Sequence, residues 1–164
     1  MKRSFSISSS IFAVAVVCLA LAGSMFADSK AFVGTWKLNL EKSKYAAGQA
    51  PKSLTRTVSA DGDAVTYKFE GVGADGTAFS FSFTSKYDGK DAEVTGAGMP
   101  YGADHIAIKQ VNSHETTATL KKGDKVVGSS TATVSHDGKM VTLTSKGTDA
   151  NGKPVKSVSI YDKQ

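Results

Sequence analysis

From Ser53 to the C-terminus the chain alternates apolar and polar residues with a period of two. Val65, Tyr67 and Phe69 alternate with Thr66, Lys68 and Glu70; Phe79, Phe81 and Phe83 alternate with Ser80, Ser82 and Thr84. Ala92 and Val94, Ile106 and Ile108, Ala118 and Leu120, and Val141 and Leu143 continue the rhythm. A strand with one face in a core and one in water has this period. The runs are separated by turn signals at Asp61-Gly62, Asp75-Gly76, Asp88-Gly89, the glycine-rich Gly96 to Gly102, Asn112-Ser113, Gly123-Asp124, Asp137-Gly138 and Asn151-Gly152. Asp-Gly and Asn-Gly suit tight hairpins because both central residues take positive φ. With a first strand at Phe32 to Leu38, the pattern predicts about ten strands and no helix of useful length. The expected fold is all-β, an antiparallel up-and-down barrel, since closure removes the exposed edges of such a sheet.

Two segments break the rhythm. Asn39 to Lys52 lacks a period of two and reads as a long loop, with one helical turn at Glu41 to Tyr45. In the last strand Val155, Ser157, Ser159 and Tyr161 oppose Lys156, Val158 and Ile160, so both faces carry apolar groups and its orientation stays open.

Residues 1–27 are set apart by composition. Lys2 and Arg3 precede an apolar run from Ile11 to Ala22, which is short for a membrane span and is followed by small residues. This is the pattern of a secretory signal peptide, with cleavage after Ala22 or Ala27, leaving residues 28–164 as one domain. The sole cysteine, Cys18, follows Val17 inside the apolar run, unlike a lipoprotein site. The remaining chain therefore has no thiol and no disulfide. It also has no Asn-x-Ser/Thr sequon, which favours a periplasm over a eukaryotic secretory route. A secreted or periplasmic protein without a stable membrane anchor is expected.

The formal net charge is +5, and two of those charges leave with the leader. The remaining basic residues are almost all lysines, scattered along the strands. Nucleic-acid binding calls for clustered Arg and Lys with interleaved aromatics, and the chain has no such cluster. His105, His114 and His136 are not at metal-ligand spacing. No nucleophile elbow, phosphate-binding loop or dinucleotide fingerprint is present, and the glycines of Gly71 to Gly76 lie between strands. The expectation is a protein that is not an enzyme and takes no cofactor.

The inward phase is aromatic and aliphatic: Tyr67, Phe69, Phe79, Phe81, Phe83, Ile106 and Ile108. Ligand pockets are lined this way, and so are filled cores. About ten strands enclose more space than side chains must fill, which favours a cavity for a small hydrophobic molecule. Arg56, the only arginine after the leader, shares its phase with Leu54 and Val58. Three roles fit an inward guanidinium: pairing with a ligand carboxylate, snorkelling at the barrel end, or lying across the Trp36 ring. The alternative function is a filled barrel acting through its surface as an inhibitor or envelope partner, with the Met99-Pro100-Tyr101 tip of the glycine-rich loop as its contact.

Phe32-Val33-Gly34-Thr35-Trp36-Lys37-Leu38 resembles the first strand of the calycins, the lipocalins and fatty-acid-binding proteins. Val158 to Lys163 resembles the closing strand of the fatty-acid-binding proteins, with Tyr161 matching their tyrosine, which the resemblance makes a ligand-binding residue of the barrel interior. The leader, the long loop and the Lys42-Ser43-Lys44 run are more similar to secreted bacterial lipocalin-like proteins. The resemblance implies a barrel with its interior reserved for a hydrophobic ligand, and gives Gly34 and Trp36 a structural role at its base. Two parts of the fatty-acid-binding pattern are missing: the helical pair between the first two strands, and the carboxylate-anchoring arginine, whose position is Ser159. Fatty-acid binding as such is therefore not carried over.

Overall fold

The computed structural model describes residues 29–149 and 151–164. The expected leader, with Cys18, lies outside them. A 3₁₀ turn at Ser29–Phe32 leads into eleven strands. These are β1 (Gly34–Lys44), β2 (Ser53–Asp61), β3 (Ala64–Val72), β4 (Ala78–Ser85), β5 (Asp88–Glu93), β6 (Thr95–Ala97), β7 (His105–Asn112), β8 (Glu115–Lys122), β9 (Lys125–Val134), β10 (Met140–Thr148) and β11 (Pro154–Lys163).

They form one antiparallel sheet in the order β5-β7-β8-β9-β10-β11-β1-β2-β3-β4-β6, curled into a nearly closed barrel. The sheet closes on itself through β1, which pairs with β11 on one side and β2 on the other. Its two ends, β5 and β6, are consecutive in the chain and separated only by Val94. The fold is the expected all-β antiparallel barrel.

Several details differ from the sequence expectation. The run read as one strand after Asp88-Gly89 divides at Val94, whose N–H bonds to Asp104 O at 2.9 Å; this makes the eleventh strand. β4 therefore pairs with β6, and β5 with β7, instead of β4 with β5. Asp88-Gly89 is not the hairpin tip either. The chain turns at Lys86 and Tyr87, where Tyr87 takes φ 59°. Its ring is buried, its hydroxyl meets that of Tyr67, and its N–H bonds to Ser85 Oγ. Burial of that aromatic outweighs the local Asp-Gly preference, and Asp88-Gly89 opens an irregular stretch of β5.

The expected Asn39–Lys52 loop is also shorter, because β1 runs on to Lys44 through a bulge. Side chains carry the hydrogen bonds that the interrupted ladder leaves unmade. Asn39 Oδ1 accepts from the Lys42 N–H at 3.1 Å, and Ser43 Oγ donates to Asn39 O at 2.6 Å and accepts from the Ile160 N–H at 2.9 Å. No helical turn forms at Glu41 to Tyr45.

One end of the barrel is solid. Phe32, Trp36, Val58, Val65, Val134 and Val141 are buried there. Trp36 is fully buried and its Nε1–H donates to Phe32 O at 2.9 Å. That bond ties the 3₁₀ turn under the barrel as a plug. Burial of one tryptophan removes on the order of 200 Å² from water, about 5 kcal/mol as an upper bound. Gly34 permits the closing strand to approach: a Cβ there would stand 3.0 Å from Lys163 Cε, and its φ is +134°. Lys163 Nζ lies 5.0 Å from the Trp36 ring centroid. The cation over Trp36 is thus Lys163, and the stacking role considered for Arg56 belongs to it.

Candidate functional site

The other end of the barrel is hollow. A cavity of about 780 Å³ runs from mid-barrel to the turns β8–β9 and β10–β11 and to the segment before β2, where exposed residues such as Gln49 and Lys125 border it. The transition follows strand phase. In β2, Leu54 and Arg56 line the cavity, and Val58, two residues further, belongs to the solid end. The same step separates Tyr67 from Val65 in β3, Ala132 from Val134 in β9 and Leu143 from Val141 in β10. The interior is neither filled throughout nor empty throughout.

All nine residues singled out for the interior line this cavity. Tyr67 and Phe69 of β3 face Phe81 and Phe83 of β4 as stacked pairs: Phe69–Phe81 at 4.7 Å between centroids and Tyr67–Phe83 at 5.0 Å. Phe79 extends the stack toward the mouth, 6.2 Å from Phe81, and is half-buried. Ile106 and Ile108 of β7, with Leu120 of β8, form further wall. Tyr161 of β11 closes the floor and is 1% exposed. This settles the orientation of the last strand: Val155, Ser157, Ser159 and Tyr161 face inward. Gly34 and Trp36 lie outside the cavity, at the solid end.

Arg56 stands on the floor. It is 2% exposed, and its Nε and Nη1 have no hydrogen-bond partner among the described residues. Its Cζ lies 5.0 Å from the Tyr67 ring centroid and 5.8 Å from that of Phe32. Cation–π contacts offset part of the desolvation of a guanidinium, but they satisfy none of its N–H groups. The side chain does not snorkel out, and a guanidinium does not discard its proton to escape burial. The floor therefore holds a permanent positive charge with unused donors.

Its polar neighbours are phenols and hydroxyls. Tyr67 and Tyr87 join through their hydroxyls, and Tyr45 and Ser159 through theirs at 2.6 Å. Burial pushes the Tyr161 and Tyr87 phenols far above the usual range; the Tyr45 phenol reinforces this at Tyr161 and Tyr67 at Tyr87, while the Arg56 charge pulls both back a little. Tyr87 and Tyr161 therefore stay neutral at physiological pH and do not cancel the charge on Arg56.

Sequence reasoning missed Tyr45, which lay in a segment without periodicity, and Tyr87, hidden beside a strong turn signal. It also missed the lining role of Met99 to Gly102, read instead as an outward contact. The histidines stay apart from the cavity. His105 Nδ1 lies 2.8 Å from Asp104 Oδ1 on the exposed face, and this hydrogen bond raises the imidazole pKa. The His114 and His136 rings are 5.5 Å apart, and no group of three metal-binding side chains gathers among the described residues.

No protein-family profile matches the chain, and no curated protein does. Solved structures do. Zebrafish ileal bile acid-binding protein, complexed with cholic acid, is 14% identical with a TM-score of 0.51, over 82% of this chain and 99% of that one. The chain shares the antiparallel β-barrel fold of that structure. The redesigned β-barrel mFAP1 bound to DFHBI is 11% identical with a TM-score of 0.48, over 84% and 99% of the two chains. A de novo designed fluorescence-activating β-barrel is 13% identical with a TM-score of 0.43, over 83% and 96%.

Proposed function

We propose that this chain binds a small hydrophobic molecule with one negatively charged group, in a secreted or periplasmic setting. The observation that carries the reading is the buried Arg56, whose Nε and Nη1 have no hydrogen-bond partner among the described residues, on the floor of a hollow, aromatic-walled cavity. The cavity of about 780 Å³ falls within the range of small-molecule pockets. Its walls suit an apolar body. A carboxylate or similar group would satisfy the Arg56 donors and neutralise its charge, with the Tyr161 and Ser159 hydroxyls close by on the same floor. The cholic acid in the zebrafish barrel is an amphipathic acid of this kind and serves as one probe. Binding, and not catalysis, is the reading this site supports, because the Tyr87 and Tyr161 phenols near Arg56 are held neutral by burial. The extracytoplasmic setting rests on residues 1–27, and N-terminal sequencing of the exported protein tests it.

The function is tested by titrating the protein with a fluorescent long-chain carboxylate and with its alcohol counterpart. A charge-assisted contact is worth about 1.5–3 kcal/mol, so the carboxylate should bind at least about tenfold tighter. Arg56→Met should remove the preference and leave alcohol binding in place. If neither probe binds, the binding reading falls; equal affinities would remove the anion alone.

A further inference from the structure

The loop between β6 and β7 crosses the mouth of the cavity, and all five residues from Gly98 to Gly102 line it. Gly98 takes φ +97° and Gly102 φ +65°, so each end has a residue free of the steric limits on a side chain. Between them Pro100–Gly102 forms a single 3₁₀ turn closed by long backbone bonds, Gly102 N–H to Met99 O at 3.2 Å and Ala103 N–H to Pro100 O at 3.3 Å. Both bonds are internal to the turn and its immediate flank, so they do not fasten it to the barrel.

The fastening is the ring of Tyr101. Tyr101 has φ 61° and ψ 14°, a left-handed conformation that a bulky residue adopts only when its surroundings hold it there. Its ring rests on Gly128 of β9 and Gly147 of β10, which are direct partners across the two strands. A Cβ on Gly128 would stand 2.5 Å from Tyr101 Cδ2, and one on Gly147 2.7 Å from Cε2 and Cζ. Both glycines share the inward phase of Ser130 and Ser145, which line the cavity. At this point the wall leaves out two side chains that would face inward, and a ring from a glycine-hinged loop fills the place. The other end of the loop rests on Phe79, since a Cβ on Gly98 would be 2.6 Å from Phe79 Cβ.

We infer that Gly98–Gly102 is a lid over the cavity and that Tyr101, seated on the Gly128–Gly147 pair, is the latch that holds it shut. Release of the ring swings the Met99-Pro100-Tyr101 tip off the mouth about its glycine ends, and the open fraction sets the rate of entry. A fixed plug would be built from side chains on β9 and β10 themselves. The lid goes beyond the binding reading above, since it describes access to the cavity whatever enters.

The test needs no ligand. Ala118, on the cavity wall, becomes the reporter in a Cys18→Ser, Ala118→Cys background, and the rate of its modification by a bulky maleimide reads the opening of the mouth. Tyr101→Ala and Gly147→Ala should speed modification about tenfold, the effect of weakening closure by ~1.4 kcal/mol. Tyr101→Phe should keep the parent rate, because the ring and not the hydroxyl makes the seat. Circular dichroism checks that each variant is folded; Tyr101→Ala adds no atoms and decides the matter if Gly147→Ala does not fold. The parent rate in Tyr101→Ala overturns the latch. Failure of every hydrophobic probe to bind would sink the binding reading and leave this result standing.

Discussion

Arg56 sets the terms at the residue scale. A buried guanidinium whose Nε and Nη1 have no hydrogen-bond partner among the described residues costs stability, and the contacts with Tyr67 and Phe32 offset it by about 0.5–2 kcal/mol. Replacing even a buried ion pair by well-packed apolar residues of similar volume is often neutral or stabilising by about 1–4 kcal/mol. Arg56→Met should therefore melt at the same temperature as the parent or higher, while losing its preference for anionic probes. Thermal unfolding followed by circular dichroism checks this. A large fall in melting temperature would mean that the guanidinium is part of the scaffold. The inward phase of Arg56 was legible from Leu54 and Val58 alone. What surrounds it was not, because Tyr87 reaches that floor from the turn after β4 and Tyr161 from the last strand, both far away in sequence.

At the scale of elements, the join of β1 and β11 closes the barrel and is not a plain ladder. Past Asn39 the register shifts, and the Asp162 carboxylate braces the bulge. It accepts from Asn39 Nδ2 at 2.6 Å and pairs with Lys42 Nζ at 3.2 Å. The Asn39 hydrogen bond first, then that from Lys42, hold the Asp162 pKa below the usual aspartate value. A depressed folded-state pKa gives a contribution that is present above the unfolded value and lost as pH falls through the folded one. The brace should weaken in the acid window below the ordinary aspartate pKa of ~4. Asp162→Asn should show a smaller fall in melting temperature across that window than the parent does. Equal acid sensitivity would show that the brace contributes nothing. Period-two alternation has no reading for this stretch, since the bulge places side-chain oxygens where a ladder would place carbonyls.

Across the whole molecule, the buried phenols make the barrel sensitive to alkali. The Tyr87 and Tyr161 pKa values are raised by burial, so their contribution is complete below the ordinary tyrosine range near pH ~10 and declines as pH rises above it. In an alkaline titration, the last phenolate absorbance should appear together with loss of the β-sheet circular dichroism signal. Phenolates that all form while the barrel stays folded would contradict their burial. By itself the sequence determined an antiparallel barrel, the inward residues of the regularly alternating strands, and that one cation shares their phase. Those properties are local: a period of two and a turn dipeptide are written within a few residues. The tertiary structure decided that one half is solid and the other hollow. It also left Arg56 Nε and Nη1 without a hydrogen-bond partner among the described residues, and seated Tyr101 on two glycines from other strands. Each of these depends on which distant side chains meet across the barrel, and strand register and closure set that.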